Sequence, residues 1–201
     1  MRTSRRYGWL LTLSCFASTA LLACSGDDDP SGPATSVAVG TLSDSGGFVS
    51  VVSDSSRIVG YVCDGADVAA FFTGPVTDGS FAITTLVGSF SGEVESGAVV
   101  GRFAPPTGAE ETFSAGVVGS SEVAGIWQAF PGGESGDIVA GWVVDESGAQ
   151  RGATVNRMSG AVVAHPTLDV AAATTTTELG VATAVRVDST DSYINAYNFN
   201  R

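Results

Sequence analysis

Between residues 37 and 155 the chain is a succession of apolar runs, each about five to eight residues long and recurring every ten to twelve residues or so. The runs are 37–42, 48–52, 58–63, 68–73, 81–86, 90–94, 99–103, 112–118, 123–130, 138–144 and 150–155, rich in Val, Phe, Trp and Thr. Turn-forming clusters separate them: Asp54-Ser55-Ser56, Asp64-Gly65, Asp78-Gly79, Ser96-Gly97, Pro105-Pro106-Thr107-Gly108, Gly119-Ser120-Ser121, Pro131-Gly132-Gly133 and Ser147-Gly148. Segments this short cannot make several helical turns, and no window holds a 3.6-residue apolar period long enough to compete. The pattern predicts an all-β fold, an antiparallel meander closed as a small barrel or sandwich of about 8 to 11 short strands.

Glycine also stands inside the runs, in Ile58-Val59-Gly60-Tyr61-Val62, Val99-Val100-Gly101-Arg102-Phe103, Val123-Ala124-Gly125-Ile126-Trp127 and Val139-Ala140-Gly141-Trp142-Val143. An interior glycine weakens a strand, so its recurrence points to bends, bulges or an aromatic ring lying on bare backbone. The four units are unequally spaced, which argues against a propeller or solenoid repeat.

Four segments follow from these patterns: 1–23, an export signal; 24–35, an acidic Pro/Gly-rich tether; 36–157, the all-β domain; and 158–201, a C-terminal extension with one strand-like stretch at 181–187 and a polar end.

The first segment carries Arg2, Arg5 and Arg6, then an apolar stretch over 9–22, then Leu21-Leu22-Ala23-Cys24 before polar Ser25-Gly26-Asp27. This resembles a bacterial lipoprotein signal: a basic start, a short apolar core, small residues at the cleavage point and a cysteine directly after it. The apolar stretch falls short of the ~20 residues a membrane span requires. The resemblance implies lipidation at Cys24, attachment to a membrane through acyl chains, and an extracytoplasmic location at the outer membrane or cell surface; Ser25 after the cysteine is similar to outer-membrane sorting in Gram-negative cells. A secreted protein with an incidental cysteine is the alternative.

Cleavage before Cys24 removes three of nine arginines and none of the 21 acidic residues, leaving a net charge of −15 and no lysine. Such a chain is unsuited to nucleic acid, whose phosphates are bound by clustered Lys and Arg, and to anionic headgroups.

Chemistry-bearing residues are scarce. Cys63 is the one thiol of the folded part, which excludes an intrachain disulfide and a multi-cysteine metal site; with Asp64 beside it, it reads as a small buried hydrophobe. His165 is the only histidine and sits in a loop-like His165-Pro166 context. Asp27-Asp28-Asp29 lacks the alternating ligands of a calcium loop, so no metal and no cofactor is expected. Glu93 and Glu95 would share one side of a strand, about 7 Å apart, either as a hydrolytic carboxylate pair or as a solvated face.

The mature chain keeps two tryptophans, Trp127 and Trp142, on neighbouring runs. If those runs pair as a hairpin closing at Phe130 and Asp137, Trp127 opposes Ala140, Trp142 opposes Gly125, and both indoles share one face with Trp142 over Gly125. Core packing is one reading; a barrel mouth lined by aromatics with a polar group is the other, and it makes Tyr61, Trp127, Gln128 and Trp142 the candidate ligand-binding residues.

Tyr61-Val62-Cys63-Asp64-Gly65, Phe71-Phe72-Thr73-Gly74, Ala124-Gly125-Ile126-Trp127, Gly141-Trp142-Val143-Val144 and Gln150-Arg151-Gly152-Ala153, in this order, resemble an uncharacterised β-rich domain of secreted and lipid-anchored proteins from high-GC bacteria. The resemblance spans residues 57–153 and implies no established activity. The expectation is a lipid-anchored, non-enzymatic binding or interaction module whose ligand or envelope partner is unknown. A structural envelope lipoprotein without specific ligand, and a hydrolase using Glu93 and Glu95, are the alternatives.

Overall fold

The computed structural model describes residues 35–193; the expected export signal, Cys24, nearly all of the expected tether and residues 194–201 lie outside them. Within them the chain is all β, with no helix and fifteen antiparallel strands. Each of the eleven apolar runs is a strand: β1 (Ser36–Leu42), β2 (Phe48–Ser53), β3 (Arg57–Cys63), β4 (Ala69–Pro75), β5 (Ser80–Thr85), β6 (Gly88–Glu95), β7 (Ala98–Ala104), β8 (Glu111–Val117), β9 (Gly125–Ala129), β10 (Ile138–Val144) and β11 (Gln150–Asn156). Four more lie beyond Met158: β12 (Val162–Ala164), β13 (Leu168–Asp169), β14 (Thr174–Thr177) and β15 (Gly180–Val187).

Aspartate closes several of the turns. Asp54 Oδ1 accepts the Ser56 and Arg57 N–H groups, Asp64 Oδ1 those of Ala66 and Val68, and Asp145 Oδ1 those of Ser147 and Ala149. A short carboxylate reaching two donors of its own turn supplies partners that the strands cannot.

The first eight strands form a nearly closed barrel in the order β4-β3-β2-β1-β8-β7-β6-β5. Two four-stranded meanders are joined by the pairing of β1 with β8, and the seam falls between β4 and β5, where Ile83 lies over bare Gly74. The interior is filled by Phe72, Phe81, Phe90, Phe103 and Phe113 among smaller residues. Phe90 stands at its centre, with ring centroids 5.0 Å from Phe113, 5.1 Å from Phe72 and 5.2 Å from Phe81. A Cβ at Gly60 would sit 2.6 Å from the Phe90 ring, and one at Gly101 would sit 2.8 Å from Phe113. Glycine occurs in these strands because the rings need the space.

The other seven strands form a half-barrel, in the order β12-β11-β10-β9-β15-β14-β13. Its outer face rests on the wall made by β2, β3 and β4, so that Val59, Tyr61, Cys63 and Phe71 meet Ile126, Val139, Val143 and Val187. Bare Gly141 is the closest approach: a Cβ there would lie 2.5 Å from Phe71 and 2.8 Å from Tyr61, whose hydroxyl donates to the Gly141 carbonyl at 2.9 Å. The segments that carry the β-domain resemblance, on β3, β4, β9, β10 and β11, are those that build this junction and the half-barrel floor. The concave face holds Trp127, Ala129, Ala140, Trp142, Val144, Leu168 and Ala184.

Residues 158–193 are built into this sheet and are not an appendage with a single strand. β15 pairs with β9, setting Val187 against Ile126, and Tyr193 packs on Phe71 with centroids 5.8 Å apart. The stretch 181–187 is the strand expected; β12, β13 and β14 are two to four residues long and too short to show an alternation.

The register of β9 and β10 differs from expectation by two residues. Trp142 opposes Trp127 directly, Ala140 opposes Ala129 and Gly125 opposes Val144. The hairpin does not close at Phe130 and Asp137, because neighbours outside it claim that loop. Arg157 lies over the Phe130 ring and donates to the Glu134 and Gly136 carbonyls, while its backbone N–H takes the Asp137 carbonyl. A shift of two leaves every side chain on its expected face, so both indoles do share one face. The glycine under Trp142 is Gly152, on β11, and not Gly125. Gly125 has φ +132, a backbone conformation that calls for glycine by itself.

Candidate functional site

The four aromatic-site candidates fall into three environments. Trp127 and Trp142 lie in the floor of the half-barrel, 7% and 0% exposed, and each indole N–H is already committed at 2.8 Å, to the Val123 and Pro166 carbonyls. Tyr61 is buried in the junction between the sheets. Gln128, next to Trp127 on β9, points to the opposite face and lines a groove at the margin of the junction. They do not converge on a common cavity, and both tryptophans serve as core.

The half-barrel floor is partly roofed by the chain itself. The Gln150 side chain imitates a strand partner for Leu168, donating to its carbonyl and accepting from its N–H, both at 2.9 Å. With the Trp142 contact to Pro166, this draws the 165–168 segment across one end of the concave face. A crevice of about 180 Å³ remains at another position, bounded by Ile138, Thr154, Val163, Ala164 and the turn Thr177-Glu178-Leu179.

Arg151 clips the two sheets together. Its guanidinium lies 5.2 Å over the Phe48 ring and donates to the Asp64 carbonyl at 3.1 Å. Cys63 beside it is fully buried, and burial pushes its thiol pKa up, with the Asp64 charge adding in the same direction. That environment suits an inert packing thiol.

Glu93 and Glu95 are exposed on the barrel wall, Glu93 beside Arg102 in a shallow depression. His165 is exposed, its Nδ1 3.4 Å from the Gly152 carbonyl. Among the described residues no group of three or more His, Cys, Asp or Glu is placed to hold a metal ion. Cys24, the expected lipidation site, lies outside the described residues.

What the sequence reading missed is an apolar surface. Eight large hydrophobics are exposed among the described residues, and four of them, Val163, Leu179, Val181 and Val185, border the half-barrel's outer end. The alternation Val181, Val185, Val187 along β15 was a legible signal; its partner strand was not. Comparisons with protein-family models, with curated proteins and with solved structures return no match.

Proposed function

We propose that the protein is a lipid-anchored, extracytoplasmic, non-enzymatic interaction module that works through its outer surface and not through an internal cavity. The observation that carries this reading is the contrast between filled interiors and an uncovered apolar row. The barrel is packed with phenylalanine and the half-barrel floor with tryptophan, whereas Leu179, Val181 and Val185 stand in solvent. Contiguous exposed apolar surface on a folded domain marks an interaction site. The resemblance of residues 1–24 to a lipoprotein signal supports attachment through Cys24, and the acidic, lysine-free mature chain supports a location in solvent beside the membrane.

Two experiments test the reading. Cys24→Ala should move the protein from the membrane to the soluble fraction, and a mature-sized Cys24→Ala species that still needed detergent for release would refute the anchor. A photocrosslinking residue at Val181 or Val185 should form adducts in intact cells, while one at Glu93 or Glu95 on the barrel wall should not. Equal or absent adducts at all four positions would favour a structural envelope lipoprotein without a specific partner.

A further inference from the structure

Resting on that reading, we propose that the turn between β14 and β15, with the grooves on either side of it, docks a cationic polypeptide segment that carries apolar side chains. Burial changes steeply along one face of β15: Val187 is 1% exposed, Val185 56% and Val181 73%. The strand runs out past the barrel wall and leaves the continuation of the inter-sheet contact uncovered. Leu179, at the turn, is 61% exposed and leans on the β9–β10 loop, where its Cδ1 would lie 3.8 Å from a Cβ at Gly132. One groove, of about 390 Å³, runs beside Val181 and Val185 and is bounded by Gly132, Gly133 and Glu134. The second is the crevice of about 180 Å³ beside Val163 and Glu178.

Two features select the occupant. Val181 and Val185 share one face of β15 with exposed Thr183 between them, so apolar contacts lie about 13 Å apart, two side-chain repeats of an extended chain that presents its residues on one face. Open grooves flanking a protruding leucine suit such a chain better than an enclosed small molecule. The charge is uniformly negative: Glu134 and Glu178 line the grooves, and Asp137 is exposed at the end of the same loop. Of the nearby cations, Arg157 is 5% exposed and held by loop carbonyls, and Arg186 of β15 takes the opposite face of the strand from Val185, beside Gly125. On a mature chain of net charge −15 without lysine, this surface repels acidic polymers and anionic lipid headgroups and attracts Lys or Arg flanking an apolar side chain.

The test is calorimetric titration of the full chain, purified in detergent, with short synthetic peptides of alternating lysine and leucine, lysine and serine, or glutamate and leucine. The lysine–leucine peptide should bind, and the other two should bind at least about tenfold more weakly. Leu179→Ser with Val181→Ser, and separately Glu134→Gln with Glu178→Gln, should each weaken it by about tenfold, while Glu93→Gln with Glu95→Gln leaves it unchanged. Thermal melts of each variant show that the fold is retained. Equal binding of the lysine–serine peptide, or an equal loss in the Glu93 and Glu95 variant, would reduce the effect to diffuse charge and overturn the proposal. Equal binding of the glutamate–leucine peptide would overturn the charge argument. Tighter binding by a chain ending at Tyr193 would assign the grooves to residues 194–201 instead. Membrane release by Cys24→Ala and crosslinking at Val181 are independent of the peptide, so failure here is distinguishable from failure of the anchored-module reading.

Discussion

The barrel and the half-barrel are built from the same kind of strand, yet they solve the problem of an open sheet differently. In the barrel, eight strands curl until the sheet nearly meets itself, and five phenylalanines fill the space, so its core is its own. The half-barrel does not close. It rests one face on the barrel wall and roofs part of the other with the 165–168 segment, held by Gln150 and Trp142. Closure leaves little apolar edge to manage; the half-barrel keeps open edges at β12 and β13, and on β15, inside the sheet, it exposes Val181 and Val185 on the face that continues beyond the barrel wall. The difference locates stability in the first sheet and candidate function in the second.

The largest test of this comparison removes the barrel's centre. Phe90→Ala should cost about 3–5 kcal/mol, the range for deleting a buried phenylalanine, and should unfold both sheets in one urea transition because the half-barrel has no other support. Survival of the tryptophan signal, which reports the half-barrel floor, after loss of the barrel would break the dependence.

Gly141→Ala attacks the junction. Its methyl group would overlap Phe71 and Tyr61, two packed aromatic side chains, so a loss of about 2–3 kcal/mol is expected, with the half-barrel, followed by tryptophan fluorescence, unfolding at lower denaturant than the whole β structure, followed by far-ultraviolet circular dichroism. A single unsplit transition with unchanged midpoint would mean that the sheets do not depend on Gly141 for their fit.

Cys63→Ala, at the same junction, should cost only about 1–2 kcal/mol, since it removes a small buried group. The native thiol should resist labelling near neutral pH; fast labelling would contradict its burial.

A smaller effect tests how the end of β15 is tied to the barrel. Thr190 donates to Asp54, and Arg57 pairs with Asp191 at 3.1 Å. The Thr190 hydroxyl, with the turn N–H groups, holds the Asp54 pKa down from 3.8 to about 2. A depressed carboxylate contributes stability that is fully present above 3.8 and is lost as pH falls through about 2. The stability gap between wild type and Asp54→Ala should therefore be constant at neutral pH and close over that acid window. A gap that stayed open at pH 2 would assign the effect to turn geometry and not to the charge. Leu179→Ser, by contrast, should change stability by less than about 0.5 kcal/mol, as a substitution at an exposed site.

All of the all-β class and twelve of the fifteen strands, the eleven runs and β15, were legible, because alternation and turn chemistry act within a few residues of one another. Asp54, Asp64 and Asp145 close their turns with local hydrogen bonds, and glycines 60, 101 and 141 announce rings packed on bare backbone. Even the face of Trp127 and Trp142 followed from period-two geometry, which a two-residue error in register leaves intact. Their role did not follow: only the packed structure shows each indole N–H committed to a carbonyl and the four candidate residues divided among three environments. The register itself was decided at a distance, by Arg157 gripping the loop that the hairpin would otherwise have shortened. The pairing of β1 with β8 and of β9 with β15 likewise joins segments far apart in the chain, chosen by which apolar faces can be covered together. Local residue chemistry determined what each segment is; burial across the whole molecule decided which segments meet, and which valines of β15 stay exposed.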